Sequence, residues 1–573
     1  MEKPWLKFYE SGVPASVDVP AMSLSTLARD AARKYANQTA LKFILKYMAG
    51  DRVLVGGKMT YRQLDEAIDN FAGALANLGV KKGDRIAVML PNSPQFVIAF
   101  FAAARLGAIV VNVNPTYTAS ELKHQLVDSG AETLIIYNMA FPRFQSIQAE
   151  TPTKRAIVTY IHDATGTPFN LLVKRSQSKD KAWHEPSLGN GVYHMKDLIA
   201  QGRKPPAVEV APDDIALLQY TGGTTGVPKA AMLTHRNMIA NVFQTKAWMP
   251  RAEDGKEKML AAIPFFHVYG MTICMIFGIH KGAELLIVPD PRNIPMLMHI
   301  IAKEGATIFP GVPAMYIAIL NHKDRDKFNL RSIKACISGS APLPIEVQEK
   351  FGEVTGGRLV EGYGLTEAAP VTHCNPVFGR RKAGCIGIPF PDVEAKIVDL
   401  ETGADLPVNS PGEMWIRGPQ VMAGYWDKPE ETAKTITPDG WLQTGDIAEM
   451  DEDGYFKIVD RKKDLIIASG YNIYPRDVEE VLFKHPKIAE AVVAGVPHPT
   501  RGETVKAYVV LKPGQTATED EIRAFCREHL APYKVPSSVE FRTELPKSQV
   551  GKFLRRVLLE EERAKASADA PTN

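Results

Sequence analysis

The chain has 573 residues, too many for one hydrophobic core, and this length predicts roughly three to four structural units. Its 68 basic and 65 acidic residues leave a formal net charge of +3, which is not the basic excess that nucleic-acid binding requires. The apolar content of 45% is that of an ordinary globular protein. We therefore expect no nucleic-acid partner.

The five cysteines are an odd number without Cys-x-x-Cys spacing, so neither a disulfide framework nor a zinc site is predicted. The first residues lack the continuous apolar stretch of a signal peptide. The most apolar windows, 97–113 and 271–279, are interrupted by Arg105 or shorter than the ~20 residues that span a bilayer. We expect a cytoplasmic protein with at most peripheral contact at the inner face of a membrane. The oligomeric state stays open.

Helical and strand patterns alternate over about the first 380 residues, which predicts parallel α/β layers. The predicted helices span 64–78, 95–105 and 118–128, and the predicted strands span 86–90, 133–137, 215–220, 285–288, 307–309 and 333–337. Thr118 and Glu121 have the spacing of a capping box. Ligands of such sheets bind beyond the carboxyl ends of the strands.

The periodicity fades between 163 and 204, which indicates an excursion or long loop of unassigned role. Short strands and turns from 384 to 450 are typical of a smaller β subdomain. After Asp460, helices are predicted at 478–485, 519–529 and 553–564, with strands at 491–496 and 505–511. This pattern predicts a compact α+β domain for the last part of the chain.

The string TGGTTGVPK, which follows the predicted strand 215–220, combines the residue types that bind phosphate. Backbone N–H groups of glycines can approach a polyphosphate, threonine hydroxyls add donors, and a lysine adds a positive charge. These residues are Thr221, Gly222, Gly223, Thr224, Thr225, Gly226 and Lys229. The alternative is a flexible surface loop. The string is not a Walker A motif, because Pro228 precedes the lysine and the next helix start is predicted at Thr234, which can cap Asn237.

TGGTTGVPK resembles the phosphate loop of the adenylate-forming enzymes, which include acyl-CoA synthetases, luciferases and peptide-synthetase adenylation domains. Four further strings match that family in its order: PFFHVYG at 264–270, EGYGLTE at 361–367, TGD at 444–446 with DRKKDLI at 460–466, and PKSQVGK at 546–552. The match covers nearly the whole chain. Its details resemble bacterial long-chain fatty-acid–CoA ligases most.

The resemblance implies an ATP site with Mg²⁺ held by Glu367 and the Thr221 hydroxyl. Tyr363 would stack on adenine, and Asp446 would accept hydrogen bonds from the ribose hydroxyls with Arg461 as a nearby donor. The remaining implied nucleotide-site residues are Gly339, Ser340, Ala341, Glu361, Gly362, Gly364 and Thr366. Taken singly, Glu367 and Asp446 would be ordinary solvated turn residues.

The resemblance also implies a two-step enzyme with a moving terminal domain. Lys552 would bridge the carboxylate and the α-phosphate during adenylation, and Lys463 would be the hinge. In the second conformation Gly470 and Tyr471 would lie beside CoA. The implied fold is α/β, with a large multi-layer N-terminal domain (1–460) that includes the β subdomain, a hinge (461–463) and a small mobile α+β C-terminal domain (464–573).

The acyl side of the site is less well defined by the sequence. His267, in PFFHVYG, and Val312, in the apolar run 307–316, are the candidate contacts for the fatty acid. Ordinary core packing is the alternative for both. One departure from the family is Ala230, since glycine is common after the loop lysine. If that position needs a positive φ, alanine costs about 1 kcal/mol there.

Together these features predict an ATP-dependent ligase that converts a fatty acid to acyl-AMP and then to acyl-CoA, with Mg²⁺ as cofactor and CoA as co-substrate. Long- or medium-chain acids are the expected substrates. A close alternative is an acyl-adenylate ligase that loads a carrier protein. A more distant one is a fatty-acid-binding or uptake protein without catalysis, which retention of Lys552, Glu367 and Asp446 argues against.

Overall fold

A computed structural model describes residues 3–48, 53–221, 228–468, 471–498, 502–547 and 553–568. The α-helices in these ranges are α1 Leu24–Lys34, α2 Tyr61–Asn77, α3 Pro94–Arg105, α4 Ala119–Ser129, α5 Phe141–Gln145, α6 Phe169–Gln177, α7 Met195–Ala200, α8 His235–Trp248, α9 Phe277–His280, α10 Ile294–Ile300, α11 Pro313–Leu320, α12 Ile345–Thr355, α13 Pro429–Thr435, α14 Pro475–Lys484, α15 Glu519–His529 and α16 Arg555–Ala568. Two π-helical segments, Gly270–Ile276 and Ile301–Gly305, adjoin α9 and α10.

The strands in the same ranges are β1 Thr39–Met48, β2 Val53–Thr60, β3 Arg85–Met89, β4 Ile109–Asn112, β5 Thr133–Tyr137, β6 Arg155–Thr159, β7 Val192–His194, β8 Ile215–Thr221, β9 Lys229–Thr234, β10 Lys258–Ala261, β11 Glu284–Ile287, β12 Ala335–Ser338, β13 Arg358–Gly364, β14 Val371–Cys374, β15 Ile388–Pro389, β16 Glu394–Val398, β17 Gly412–Arg417, β18 Gly424–Tyr425, β19 Leu442–Met450, β20 Phe456–Arg461, β21 Ile466–Ala468, β22 Tyr471–Ile473, β23 Ile488–His498, β24 Gly502–Leu511 and β25 Ser538–Phe541. The fold is α/β, as the sequence predicts.

An eight-stranded sheet with the order β18-β9-β8-β4-β3-β5-β6-β7 carries the phosphate-binding string. The strands from β8 to β7 pair in parallel, whereas β9 and β18 add to its edge in antiparallel orientation. Every residue of α3 is buried, which explains the apolar window in the sequence: it is a core helix followed by β4. The buried Arg105 at its end pairs with Asp65 (2.8 Å) and Asp69 (2.5 Å).

Three further sheets have the orders β10-β11-β1-β2, β12-β13-β14-β15 and β16-β17-β19-β20. The predicted strand 307–309 is wrong as an element of its own: Ile308 makes only isolated bridges, to Met259 and to Ala335. The physical reason is Pro310, the residue after the predicted strand, which lacks the N–H that a continuing ladder needs.

Two corrections concern elements that the sequence reading did not identify. Residues 163–204 are more than a loop, since they form α6, the edge strand β7 and α7. Their polar composition reflects an edge position, where one side of the strand has no neighbour. The second is β9, which begins at Lys229 and pairs with β8, so the phosphate string joins two strands of a hairpin.

The terminal part of the chain contains the sheet β22-β21-β24-β23, with β25 paired to β24. Its core includes Ile466, Val478, Val493, Ile522 and Val539. The predicted helix 519–529 has the observed bounds, and Thr518 caps it at the Glu521 N–H. This part is α+β, as predicted.

The chain divides into two compact units. The larger consists of Trp5–Glu394 and Arg417–Gly440, and the smaller of Met1–Pro4, Ala395–Ile416 and Trp441–Asn573. The domain bounds 1–460 and 464–573, which separate two domains that differ in function, stay a prediction. In the described ranges, no helix combines the length and the hydropathy that crossing a bilayer demands.

Candidate active site

The β8–β9 hairpin brings the two ends of the phosphate string together. Thr221 is the register partner of Lys229, and its hydroxyl donates to the Lys229 carbonyl oxygen (3.4 Å). The residues between them that we predict to bind phosphate, Gly222, Gly223, Thr224, Thr225 and Gly226, lie outside the described residues. Ala230 is buried within the extended strand β9. Alanine fits this backbone, so the strain that a positive φ would cause there does not arise.

The Lys229 ammonium has two partners from a later part of the chain. It forms an ion pair with Glu431, and its Nζ lies 5.2 Å from the centroid of the Tyr425 ring. Hydrogen bonds from Lys229 and next from Lys434 lower the pKa of Glu431 to about 2. Lys229 and Glu431 keep 31% and 35% of their side-chain surface exposed, so a ligand can reach this pair.

Glu367 lies in the short 3₁₀ turn Thr366–Ala368 that follows β13. The Tyr425 hydroxyl donates to its Oε1 (2.9 Å), and the Met422 N–H donates to its backbone carbonyl (2.8 Å). Burial, and after it the Glu367 charge, raises the pKa of Tyr425 far above its usual range, so the phenol remains a donor. One oxygen of the predicted metal-binding carboxylate therefore has a buried hydroxyl donor.

The EGYGLTE string forms the end of β13 and the turn behind it. Glu361 is buried, whereas Tyr363 is half-buried and meets the His373 ring edge-on at 6.0 Å. Gly364 is required by close packing, since a Cβ there would lie 2.2 Å from the Pro370 carbonyl oxygen. Desolvation lowers the pKa of His373 to about 3, so the His373 imidazole beside Tyr363 is neutral.

The predicted opposite wall of the adenine pocket, Gly339 to Ala341, follows β12 directly. Ser340 has φ 71°, a left-handed conformation that is uncommon for a residue other than glycine. Such strain is often found at ligand sites. Position and conformation are thus consistent with a backbone shaped for a ligand.

The PFFHVYG string leads into the π-helical segment Gly270–Ile276. His267 is half-buried, and its carbonyl oxygen accepts from the Met271 N–H (2.9 Å). The Tyr269 and Tyr316 hydroxyls both donate to the Ile337 carbonyl oxygen, at 2.7 and 3.1 Å. The buried Val312 is the N-cap of α11, so this apolar region links the end of β12 to two candidate acyl-lining segments.

In the smaller unit, Asp446 and Arg461 are register partners on β19 and β20, with Arg461 Nε 3.5 Å from Asp446 Oδ1. The Thr444 hydroxyl accepts from the Asp446 N–H (3.1 Å) and donates to the Met414 carbonyl oxygen (2.6 Å). The TGD string, which we predict to be a turn, is therefore part of strand β19, and the pairing of β19 with β20 places the Asp446 carboxylate beside a guanidinium. The ribose-binding role of Asp446 and Arg461 stays a prediction.

Arg555 joins four elements of the smaller unit, although its sequence context resembles an ordinary solvated helix. Its guanidinium reaches Asp464 (2.9 Å), Glu479 (2.6 Å) and Asp460 (3.9 Å), and its Nε donates to the Val493 carbonyl oxygen (3.0 Å). Desolvation raises the pKa of Asp460 to about 6, against the opposing effect of Arg555. We call Arg555, Asp460, Asp464 and Glu479 the Arg555 cluster.

Some predicted residues have no described side chain. Lys552 and Gly470 lie outside the described residues, and Tyr471 is described only as backbone in β22. The predicted hinge residue, Lys463, lies in the turn between β20 and β21. Its role as a hinge stays a prediction.

Sequence reasoning missed Tyr425, Glu431 and Arg555. Tyr425 and Glu367 are 58 positions apart and meet because β18 pairs with β9. A two-residue strand is too short to show the periodicity from which that pairing could be predicted. For Arg555, the run of basic residues gives no sign that this side chain is only 19% exposed while that of Arg556 is 55% exposed.

The structure is an α/β protein in which a partly exposed lysine, Lys229, begins β9, while Ser340 and Glu367 follow the neighbouring strands β12 and β13. The model of the "AMP-binding enzyme" family matches residues 28–426, and that of the "AMP-binding enzyme C-terminal domain" matches residues 477–552. The chain therefore belongs to the AMP-binding enzyme family.

Curated relatives match over their full length. A long-chain-fatty-acid–CoA ligase of Bacillus subtilis (strain 168) is 46% identical over 566 residues, which cover 98% of each chain. One of Salmonella typhimurium is 43% identical and covers 100% of both. Among solved structures, ATP-bound MatB from Rhodopseudomonas palustris superposes with a TM-score of 0.81 at 28% identity, over 94% of this chain and 99% of that one.

Proposed function

We propose that this chain is an AMP-forming fatty-acid–CoA ligase that prefers long-chain acids. The observation that carries the proposal is the full-length match to two long-chain-fatty-acid–CoA ligases at 46% and 43% identity. The site supports it, since Thr221, Lys229 and Glu367 provide the hydroxyl, cation and carboxylate that binding of a magnesium nucleotide requires.

The reaction has two balanced steps. A carboxylate oxygen of the fatty acid attacks the α-phosphorus of ATP and forms the carboxylic–phosphoric anhydride bond of acyl-AMP. The bond from the α-phosphorus to the oxygen bridging it to the β-phosphorus breaks, and diphosphate leaves. The CoA thiol then attacks the acyl carbonyl, forms the thioester, loses its proton to solvent and releases AMP. Lys229 would neutralise phosphate charge, and Lys552 would stabilise the charge that develops at the α-phosphate.

The donor set at the site fits Mg²⁺. Glu367 and Thr221 offer the hard oxygen ligands that this ion takes, and Mg²⁺ commonly binds one or two carboxylates together with substrate phosphates. Within the described ranges, no group of three or more His, Cys, Asp or Glu side chains is arranged to hold a metal ion by itself. Mg²⁺ bound with the nucleotide would supply charge neutralisation at the phosphates.

The other predicted residues would bind the remaining parts of the substrates. Tyr363 would stack on adenine against Gly339 to Ala341, and Asp446 with Arg461 would bind the ribose. His267 and Val312 would contact the acyl chain, Gly470 and Tyr471 would lie beside CoA, and Lys463 would be the hinge between the two steps. The assignments of Tyr363, Asp446, Arg461, His267 and Lys463 rest on position within the matching strings. Those of Gly339 to Ala341, Gly470 and Tyr471 rest on the wider resemblance to the family, and that of Val312 rests on the apolar run 307–316.

We also propose a cytoplasmic protein that contacts the inner face of the membrane through α6. Leu171 and Leu172 are 67% and 56% exposed, and Arg175 follows Leu171 by four positions on the same helix face. Leucines beside basic side chains suit an anionic lipid surface. Flotation with phosphatidylglycerol vesicles should recover the protein, and a Leu171→Ser, Leu172→Ser variant should lose that binding. Equal flotation of both proteins would contradict the proposal.

The function is tested by mass spectrometry of products from purified protein, ATP, Mg²⁺ and a mixture of fatty acids, with and without CoA. We expect acyl-CoA and AMP only with CoA, and little product from Glu367→Gln. Acyl-AMP that accumulates regardless of CoA would support the carrier-protein alternative. Binding of fatty acids without consumption of ATP would support the non-catalytic alternative.

A further inference from the structure

Residues 424–435, which comprise β18 and α13, attach directly to the strand that begins at Lys229. Gly424 and Tyr425 pair with Met232 and Ala231 of β9, and the Trp426 N–H donates to the Ala230 carbonyl oxygen (2.9 Å). Within the segment, the Tyr425 N–H donates to the Thr432 hydroxyl (2.9 Å). The segment thus has a fixed place beside the phosphate hairpin.

Two side chains of this segment contact the two charges that we assign to the nucleotide. The Tyr425 hydroxyl is 2.9 Å from Glu367 Oε1, while the face of its ring lies 5.2 Å from Lys229 Nζ. Glu431, in the first turn of α13, forms the ion pair with Lys229. One short segment therefore holds both the predicted metal ligand and the loop lysine.

We propose that the 424–435 segment sets metal and nucleotide affinity through two residues of opposite effect: Tyr425 is a positioning residue for the Glu367 carboxylate, and Glu431 competes with nucleotide phosphate for Lys229. The inference rests on the proposed function for the identity of the ligand.

Tyr425 suits a positioning role because it is buried and donates to a charged acceptor. It is 7% exposed, and a hydrogen bond to an ionised carboxylate is among the stronger kinds in proteins. Such a bond fixes which way the carboxylate faces. Residues that orient a metal ligand in this way typically change metal affinity when they are replaced.

Glu431 suits the role of competitor because a carboxylate and a phosphate present the same charge and acceptor atoms to an ammonium. The pair is about one-third exposed on each side, so solvent weakens it and a polyphosphate can replace it. Lys434 lies 3.0 Å from the other carboxylate oxygen of Glu431 and keeps a partner for it after Lys229 is taken. The exchange leaves no carboxylate without a cation.

The competition is tested by calorimetric binding of a non-hydrolysable ATP analogue to the full chain without metal. Removing the competitor in Glu431→Gln should tighten binding about two- to fivefold, the range of an exposed ion pair. Glu430→Gln makes the same charge change one residue earlier on α13 and should bind as the wild type does. Equal tightening in both variants would show that the change in net charge alone causes the effect. Unchanged affinity in Glu431→Gln would show that Glu431 does not compete with the nucleotide.

The positioning role is tested by electron paramagnetic resonance of Mn²⁺ bound with the same analogue. Tyr425→Phe should weaken Mn²⁺ binding about 10- to 100-fold, as for other residues that orient a metal ligand. Tyr61→Phe is the control, since it removes a buried hydroxyl that donates to the Ala283 carbonyl oxygen (2.7 Å). Unchanged Mn²⁺ affinity in Tyr425→Phe, or an equal loss in Tyr61→Phe, would overturn it.

Failure of the two proposals can be told apart with the wild type. If the wild-type protein binds no analogue at all, the proposed function fails. If it binds analogue and Mn²⁺ and the variants match it, only the role of the 424–435 segment fails. Should Tyr425→Phe not fold, the Glu431→Gln comparison still decides the inference.

Discussion

Two groups of charged side chains, one in each compact unit, are built in opposite ways. In the larger unit, Lys229 and Glu431 form an ion pair with about a third of each side chain exposed (31% and 35%). In the smaller unit, Arg555 is 19% exposed and Asp460 only 2%, and the guanidinium meets three carboxylates. The first group can exchange its partner for a ligand, whereas the second cannot without leaving charges buried.

The difference separates charges that serve the ligand from charges that hold the fold. An exposed pair contributes little to stability because water screens it, so a phosphate can displace it at little cost. Removing one partner of a buried pair costs about 3–5 kcal/mol, because the remaining charge stays in the low-dielectric protein interior without a counter-charge. Replacements in the two groups should therefore change different observables.

The largest effect is expected at Lys552, three positions before Arg555. Lys552→Ala should lower the rate of acyl-AMP formation about a hundredfold or more, since it removes the charge placed at the α-phosphate. It should spare thioester formation from supplied acyl-AMP, and the stability of the smaller unit should not change. Each half-reaction is measured separately by product analysis.

The control for that variant is Lys547→Ala, which removes a lysine of the same string that pairs with Glu490. It should retain adenylation. An equal loss of both half-reactions in Lys552→Ala would contradict the assigned role.

Arg555→Met should destabilise the smaller unit by about 3 kcal/mol, because Asp460, Asp464 and Glu479 lose their shared cation. Hydrogen exchange of peptides from β23 and β24 would measure this as faster opening. Arg556→Met is the matched control, since Arg556 is 55% exposed and its ion pair among the described residues is a local one with Glu560. Similar exchange in the two variants would show that Arg555 is not the structural cation we infer.

Much of the fold and part of the site could be predicted from the sequence. Thr118 and Glu121 form the expected capping box and Thr234 caps Asn237 as expected, because a cap depends on residues close in the chain. Tyr425 could not be placed, because its partner depends on how a two-residue strand joins the edge of a sheet. Arg555 could not be separated from Arg556, since burial is a property of the packed fold.

Acid should destabilise the larger unit through its buried neutral histidines. Burial lowers the pKa of His235 to about 4 and that of His373 to about 3, below the ordinary value of 6.5. Their stabilising contribution is therefore complete above pH 6.5 and is lost as the pH falls toward these values, at about 1.4 kcal/mol per pH unit for each histidine. Thermal unfolding between pH 7 and pH 5.5 measures the slope.

The histidine account is checked by His373→Asn, which should flatten the dependence of the melting temperature on pH. The exposed His529 gives the control variant, His529→Asn. A slope that both variants share with the wild type would show that His373 does not contribute.

The smallest effect is expected at Ala230. Because Ala230 lies buried in β9 and not in the loop itself, Ala230→Gly should cost about 0.5–1 kcal/mol of stability. Affinity for ATP should change less than twofold, as measured by calorimetry. A large gain in ATP affinity would show that alanine does constrain the phosphate loop.

The chemistry is tested most directly with a fatty acid labelled with ¹⁸O in its carboxylate, supplied with ATP, Mg²⁺ and CoA. Attack of the carboxylate on the α-phosphorus predicts one ¹⁸O atom in AMP and none in diphosphate, because the bridging oxygen of acyl-AMP leaves with AMP. Label in inorganic phosphate with ADP as product, or AMP without label, would contradict an acyl-AMP intermediate and with it the function assigned to this site.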